Sequence, residues 1–106
     1  MGQARYRAAK PQRVDGIYFP SKKEAARYAE LKLLERAGVI RDLQVHRRFD
    51  LTVGETVIGQ YEADFVYWAN ELGVVIVEDV KGWRTEMYKW KNKHFQAQYG
   101  IMIHEV

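Results

Sequence analysis

The sequence predicts an α/β fold in the order α-β-β-β-α-β, a mixed central sheet flanked by helices, on three observations. The hydrophobic period changes from helical to alternating after "VIRDL", Val39 to Leu43. An apolar run, Val74 to Val77, follows two alternating segments, and a second helical segment separates that run from a short terminal strand. At 106 residues the chain is long enough for one ordinary core and too short for two.

The first sixteen residues lack periodicity and contain Pro11 and Gly16, so residues 1–16 are expected to be a basic flexible arm, with the folded domain spanning 17–106. A short extended piece, "GIYFP", leads into "SKKEAARYAELKLLERAG", the clearest helix. Ser21 suits the N-cap, Glu24 stands three residues on as in a capping box, and Gly38 supplies the stop. Ala26, Tyr28, Leu31, Leu34 and Ala37 form its expected inward stripe. Alternation of Val45, Phe49, Leu51 and Val53 predicts a strand, Gly54 a turn, and Thr56 to Trp68 the returning strand, with Gly59 at a bulge. "ANELG" turns the chain into "VVIVEDVK", apolar on both faces as a central strand should be. Thr85 caps a second helix running to Tyr99, with Met87, Trp90 and Ala97 expected on its inner side. Gly100 ends it, and the crossover to "IMIHEV" calls for a parallel neighbour.

Composition narrows the function classes. No apolar run approaches the roughly 20 residues that cross a bilayer, and the absence of cysteine excludes disulfides and thiolate metal sites. The basic start has no apolar core for a secretory signal, so a cytoplasmic protein is expected. Net charge is +3, and the basic residues cluster: Arg5, Arg7, Lys10 and Arg13 in the arm, Arg47 and Arg48 together, and Lys89, Lys91 and Lys93 on the second helix. Such clusters suit a polyanion, as well as plain solvation. Trp83, Tyr88 and Trp90 offer faces on which unpaired bases could stack.

The chemistry concentrates at the end of the third strand. Asp79 and Lys81 share a face there, while Glu78 points to the other side, where a basic or tyrosine side chain is its expected partner. Asp64 lies in the preceding strand between Ala63 and Phe65. If the two strands are antiparallel neighbours, Asp64 comes across from Asp79, and two meeting carboxylates repel unless a divalent cation or hydrogen bonds compensate them. His46, His94 and His104 show no ligand spacing and read as ordinary histidines.

Asp64 followed by "D-V-K" at Asp79, Val80 and Lys81, in this element order, resembles the PD-(D/E)XK nuclease superfamily. From "FPSKKEA" through "YEADFVY" to "EDVKGWRTEMYKWK" the chain is similar to a phage-encoded, Holliday junction resolvase-like branch of it, over residues 17–106. The resemblance implies a restriction-endonuclease-like core and a Mg²⁺-dependent endonuclease, with Mn²⁺ an alternative ion, acting on branched DNA as a homodimer in a phage or bacterial host cell. It implies metal ligation by Asp64, Asp79 and the Val80 carbonyl, a water-orienting role for Lys81, and for Glu24 either a metal contact or the helix cap. Ala63 stands where the proline that names the motif would be. A nicking or restriction-like nuclease with the same site, and a non-catalytic DNA-binding module on this fold, are the alternative readings.

Overall fold

The computed structural model describes residues 11–80, 82 and 84–106. A small hairpin comes first, β1 (Gln12–Val14) against β2 (Ile17–Phe19), followed by helix α1 (Lys22–Arg36). Two long strands, β3 (Ile40–Val53) and β4 (Thr56–Ala69), precede β5 (Val74–Asp79), helix α2 (Glu86–Tyr99) and β6 (Ile103–Glu105). The main sheet runs β3-β4-β5-β6, antiparallel except for the parallel β5–β6 pair. This is the mixed α/β architecture expected from the sequence, compatible with a restriction-endonuclease-like fold.

The boundary expected at residue 16 runs through the first hairpin. Asp15 and Gly16 both take positive φ, 53° and 76°, which closes a two-residue turn and pairs Gln12–Val14 with Ile17–Phe19. The expected alternation began at Val45, whereas β3 starts at Ile40 and absorbs "IRDL". Asp42, at φ 57°, sits in a bulge where the register with β4 shifts between Arg41 and Gln44. A second shift, between Leu51 and Thr52, leaves Ile58 unpaired beside Gly59, where the sequence placed a bulge.

Both helices begin and end as their caps dictate. Ser21 accepts from the Glu24 amide at 3.1 Å, and Gly38, at φ 78°, closes α1 by donating to the Glu35 carbonyl while Val39 donates to that of Leu34. Thr85 accepts from the Tyr88 amide at 3.0 Å, and Gly100 takes φ 68° at the other end of α2. Their inward faces differ from expectation. On α1 the buried residues are Glu24, Ala25, Tyr28 and Leu31, with Ala26 and Ala37 outside. On α2 the inward residues are Tyr88, Asn92 and Phe95, while Met87, Trp90 and Ala97 are exposed. In each case a polar or amphipathic residue occupies the i, i+3/i+4 position that an apolar count passes over.

Two apolar clusters lie on opposite faces of the sheet. Phe19, Tyr28, Leu31, Phe65 and Tyr67 belong to the cluster under α1, and Leu51, Tyr61, Ala63, Val66, Val77 and Phe95 to the one under α2. Strict alternation would keep residues 61, 63, 65 and 67 on one face, yet Tyr61 and Ala63 pack under α2 and Phe65 and Tyr67 under α1. On β3 the same exchange separates Leu43 and Val45 from Phe49 and Leu51. The ladder pairs Val45 with Phe65 and Arg47 with Ala63, but His46 and Asp64 between them are not paired, and His46 takes φ 56°. The two strands swap faces together, at His46 and Asp64.

Candidate metal centre

The site forms where that face exchange meets the N-terminus of α1 and the end of β5. β5 is buried in the opposite sense to its apolar content. Val74 and Val75 are exposed, whereas Val77, Glu78 and Asp79 are 0%, 2% and 4% exposed. Charge at this depth is tolerated because each acid has donors from the helix that covers its face. Glu78 receives Arg27 of α1 in a two-pronged ion pair, Nε to Oε1 at 2.8 Å and Nη2 to Oε2 at 2.6 Å, together with the Tyr67 hydroxyl. This is the basic and tyrosine partnership expected of it. Asp79 faces the other way, and its Oδ2 accepts from the hydroxyls of Tyr61 and of Tyr88 on α2, the latter at 2.7 Å.

Asp64 and Asp79 do come together, in a reciprocal clasp. Asp79 Oδ1 accepts from the Asp64 amide at 3.1 Å, and Asp64 Oδ2 accepts from the Val80 amide at 2.8 Å. The Asp79 carboxylate holds the Asp64 amide and the Asp64 carboxylate holds the amide that follows Asp79, so hydrogen bonds supply part of the compensation that a cation would otherwise provide. Burial still dominates Asp64, whose carboxyl is pushed up to about 7, with the Glu24 and Asp79 charges adding to the rise and the Val80 amide opposing it. Burial likewise raises Glu24, against its bond to His46. The Tyr61 and Tyr88 hydroxyls, buried against Asp79, are held well above the usual phenol range and act as donors.

Glu24 is 3% exposed, and its carboxylate leaves the helix cap altogether: Oε2 meets His46 Nε2 at 2.5 Å. Ser21 therefore caps α1 without the reciprocal half of a capping box. Among the described residues, Glu24, His46 and Asp64 each offer one ligand atom, and these atoms all lie within 4.8 Å of one another. Two carboxylate oxygens and one imidazole nitrogen from three different elements make a donor set that fits a divalent cation. Asp79 stands behind this group, engaged with Asp64, Tyr61 and Tyr88, and Val80 contributes its amide to Asp64. His46 is the residue the sequence reading set aside. No spacing signal marks it, because its approach to Glu24 depends on a positive φ in the middle of a strand.

Of the basic residues, Arg5, Arg7, Lys10 and Lys81 lie outside the described residues, as does Trp83. Arg13 is exposed on β1 and donates to the Gly16 carbonyl at 3.2 Å. Arg47 lies over the Phe49 ring, 4.6 Å from its centroid, and Arg48 pairs with Glu62 at 3.1 Å. Lys89 pairs with Glu86 at 3.3 Å, and Lys93 is exposed. Lys91 and Arg48 border a groove between the long hairpin and the start of α2, and Tyr61 and Tyr88, the two donors to Asp79, also line it. Arg48 and Lys91, with Glu62 also on the lining, thus border a groove that reaches the tyrosine donors of Asp79.

The fold and site together define a mixed α/β protein with a buried acid cluster at the end of its central strand. Residues 3–104 match DUF1064, described as a protein of unknown function, and the chain belongs to that family. No curated protein and no solved structure matches the chain.

Proposed function

We propose that the protein is a metal-dependent endonuclease that hydrolyses phosphodiester bonds in DNA, structure-selective in the manner of a Holliday junction resolvase. The observation that carries this reading is the convergence of Glu24, His46 and Asp64 beside the Asp64–Asp79 clasp. When bound there, Mg²⁺ or Mn²⁺ polarises a phosphate oxygen and lowers the pKa of a coordinated water. Glu24 and Asp64 would hold the ion by carboxylate oxygens. Asp79 fixes the Asp64 backbone, and the Val80 amide turns the Asp64 carboxylate. Lys81, two residues beyond Asp79 in the sequence, is the residue the superfamily resemblance assigns to the attacking water. Arg48 and Lys91 on the groove, with Arg47, Lys89 and Lys93, would meet the phosphate backbone. Cutting two strands symmetrically takes two such sites, so the active species is a homodimer.

The test is cleavage of four-way, flap and linear DNA with Mg²⁺ or Mn²⁺ by the parent chain, Asp64→Asn, Asp79→Asn and Lys81→Met. Cleavage of the four-way substrate that falls by at least about a hundredfold in each variant is expected. Equal activity in parent and variants removes the catalytic assignment. Preference for linear over branched DNA points instead to a nicking or restriction-like enzyme with the same site.

One observation favours a second reading, a DNA-binding module without catalysis. Both oxygens of Asp79 are occupied by protein donors, so this acid is satisfied without an ion. DNA binding by a parent chain that takes up no divalent cation and cleaves none of the substrates would establish that reading.

A further inference from the structure

We propose that His46 is a nitrogen ligand of the cation, and that it biases the site toward first-row transition-metal ions such as Mn²⁺ and Co²⁺ over Mg²⁺. This rests on the metal-centre reading above and deepens it by naming the ion class. Four observations converge on it. The ligand atoms of Glu24, His46 and Asp64 lie within 4.8 Å of one another. Around an octahedral ion with bonds of about 2.1 Å, neighbouring donors stand about 3.0 Å apart and opposite ones about 4.2 Å, so small movements seat all three. His46 reaches this position with φ 56°, a left-handed conformation that disfavours side-chain-bearing residues and that breaks the ladder between β3 and β4. The same conformation lets β3 change faces and leaves the His46 ring partly buried against Phe19, 5.6 Å between centroids, with Nε2 turned to Glu24.

The third observation is the partner. Glu24 is 3% exposed, so its carboxylate needs a cationic or donor group at close range, and His46 Nε2 at 2.5 Å is that group. The Glu24–His46 contact occupies the place an ion would take, and the pair opens by about 0.5 Å to admit one. The fourth is Asp79, which a site made of acids alone would use as a ligand. Here it is committed to the Asp64 amide, Tyr61 and Tyr88, leaving an imidazole to complete the set. Carboxylates and water suit Mg²⁺, whereas an imidazole nitrogen favours first-row transition ions, least for Mn²⁺ and increasingly along the row.

The test uses the full chain with the metals alone. Affinities for Mn²⁺, Co²⁺ and Mg²⁺ are measured by calorimetry, and nitrogen coupling to bound Mn²⁺ by pulsed electron paramagnetic resonance, for the parent, His46→Asn and Asp64→Asn. Asparagine tolerates the left-handed backbone and substitutes a hard oxygen for the nitrogen. The parent is expected to bind Mn²⁺ about tenfold or more tighter than Mg²⁺ and to show nitrogen coupling. His46→Asn is expected to lose the coupling and about tenfold or more in Mn²⁺ and Co²⁺ affinity with Mg²⁺ little changed, and Asp64→Asn to lose all three ions. Absence of nitrogen coupling, or His46→Asn matching the parent while Asp64→Asn loses binding, overturns the proposal and leaves an all-carboxylate metal centre standing. A parent that binds no divalent cation overturns both. Should His46→Asn fail to fold, the chain carrying His94→Gln and His104→Gln decides the question, because any histidine coupling in it comes from His46.

Discussion

Single residues here carry opposed demands of burial and charge, and Asp64 shows the consequence most directly. Its carboxyl, pushed up to about 7 first by burial, keeps a proton in the folded chain that the unfolded chain, with an ordinary value of about 3.9, releases. Its contribution to stability is therefore complete below about pH 4 and is lost as pH rises through about 7. Glu24, also raised by burial, adds in the same direction. Without divalent cations the melting temperature is expected to fall between pH 5.5 and pH 8, and Asp64→Asn to flatten that dependence. Added Mn²⁺ should restore most of the loss at pH 8, where Asp64 is ionised and able to ligate. Thermal melts in chelator and in Mn²⁺ check this; a parent without cations that gains stability over the range contradicts the assignment. Asp64 was legible in the sequence as an acid out of place between two apolar neighbours. His46 was not, because backbone handedness at one residue leaves no mark on a pattern of period two.

At the level of elements, β5 is the anchor of both helices, and adjacent residues divide the work. Glu78 ties down α1 through Arg27, and Asp79 ties down α2 through Tyr88, on opposite faces of the same strand. Removing the guanidinium strands a carboxylate that is 2% exposed. Arg27→Met is expected to cost about 3–5 kcal/mol in denaturant unfolding, the usual penalty for breaking a buried pair from one side. Adding Glu78→Gln should recover most of that, since the Tyr67 hydroxyl still has an acceptor while the buried charge is gone. A loss below about 1 kcal/mol for Arg27→Met would mean that water reaches Glu78 and that α1 is held by its apolar face alone. The alternation of β4 and the apolar start of β5 identified these strands correctly. Their inward partners on the helices were missed because Glu24, Asn92 and Tyr88 occupy positions usually left to aliphatic residues.

For the whole molecule, the long hairpin sets the shape. Each of its strands has 14 residues, roughly 48 Å of extended chain at about 3.4 Å per residue. Its tip exposes Val53, Val57 and Ile58. If that tip joins two copies, Val57→Asp should shift sedimentation from dimer to monomer at micromolar concentration; a parent that is monomeric there removes the homodimer. The groove bordered by Arg48 and Lys91 predicts salt-dependent DNA binding, with the logarithm of affinity falling linearly with that of salt by about 0.9 for each phosphate contact. Replacing Lys91 and Lys93 together with Gln should reduce the slope by about 1 to 2, and an unchanged slope would take these lysines off the DNA path. No helix among the described residues is long and apolar enough to cross a membrane.

Local chemistry written in the chain was enough to determine the element order from α1 to β6, the capped ends of both helices, the antiparallel hairpin of β3 and β4 and the depth of the acidic strand end. Each follows from neighbours a few residues apart, through hydrogen-bonding caps, glycine turns and side-chain period. Only tertiary structure decided that β3 and β4 exchange faces at His46 and Asp64, that Glu24 leaves its cap for His46, and that Asp79 is satisfied by two tyrosines. Those outcomes are set by contacts between residues 9 to 22 positions apart, where packing of two helices against opposite faces outweighs the preference of any one residue for regular backbone.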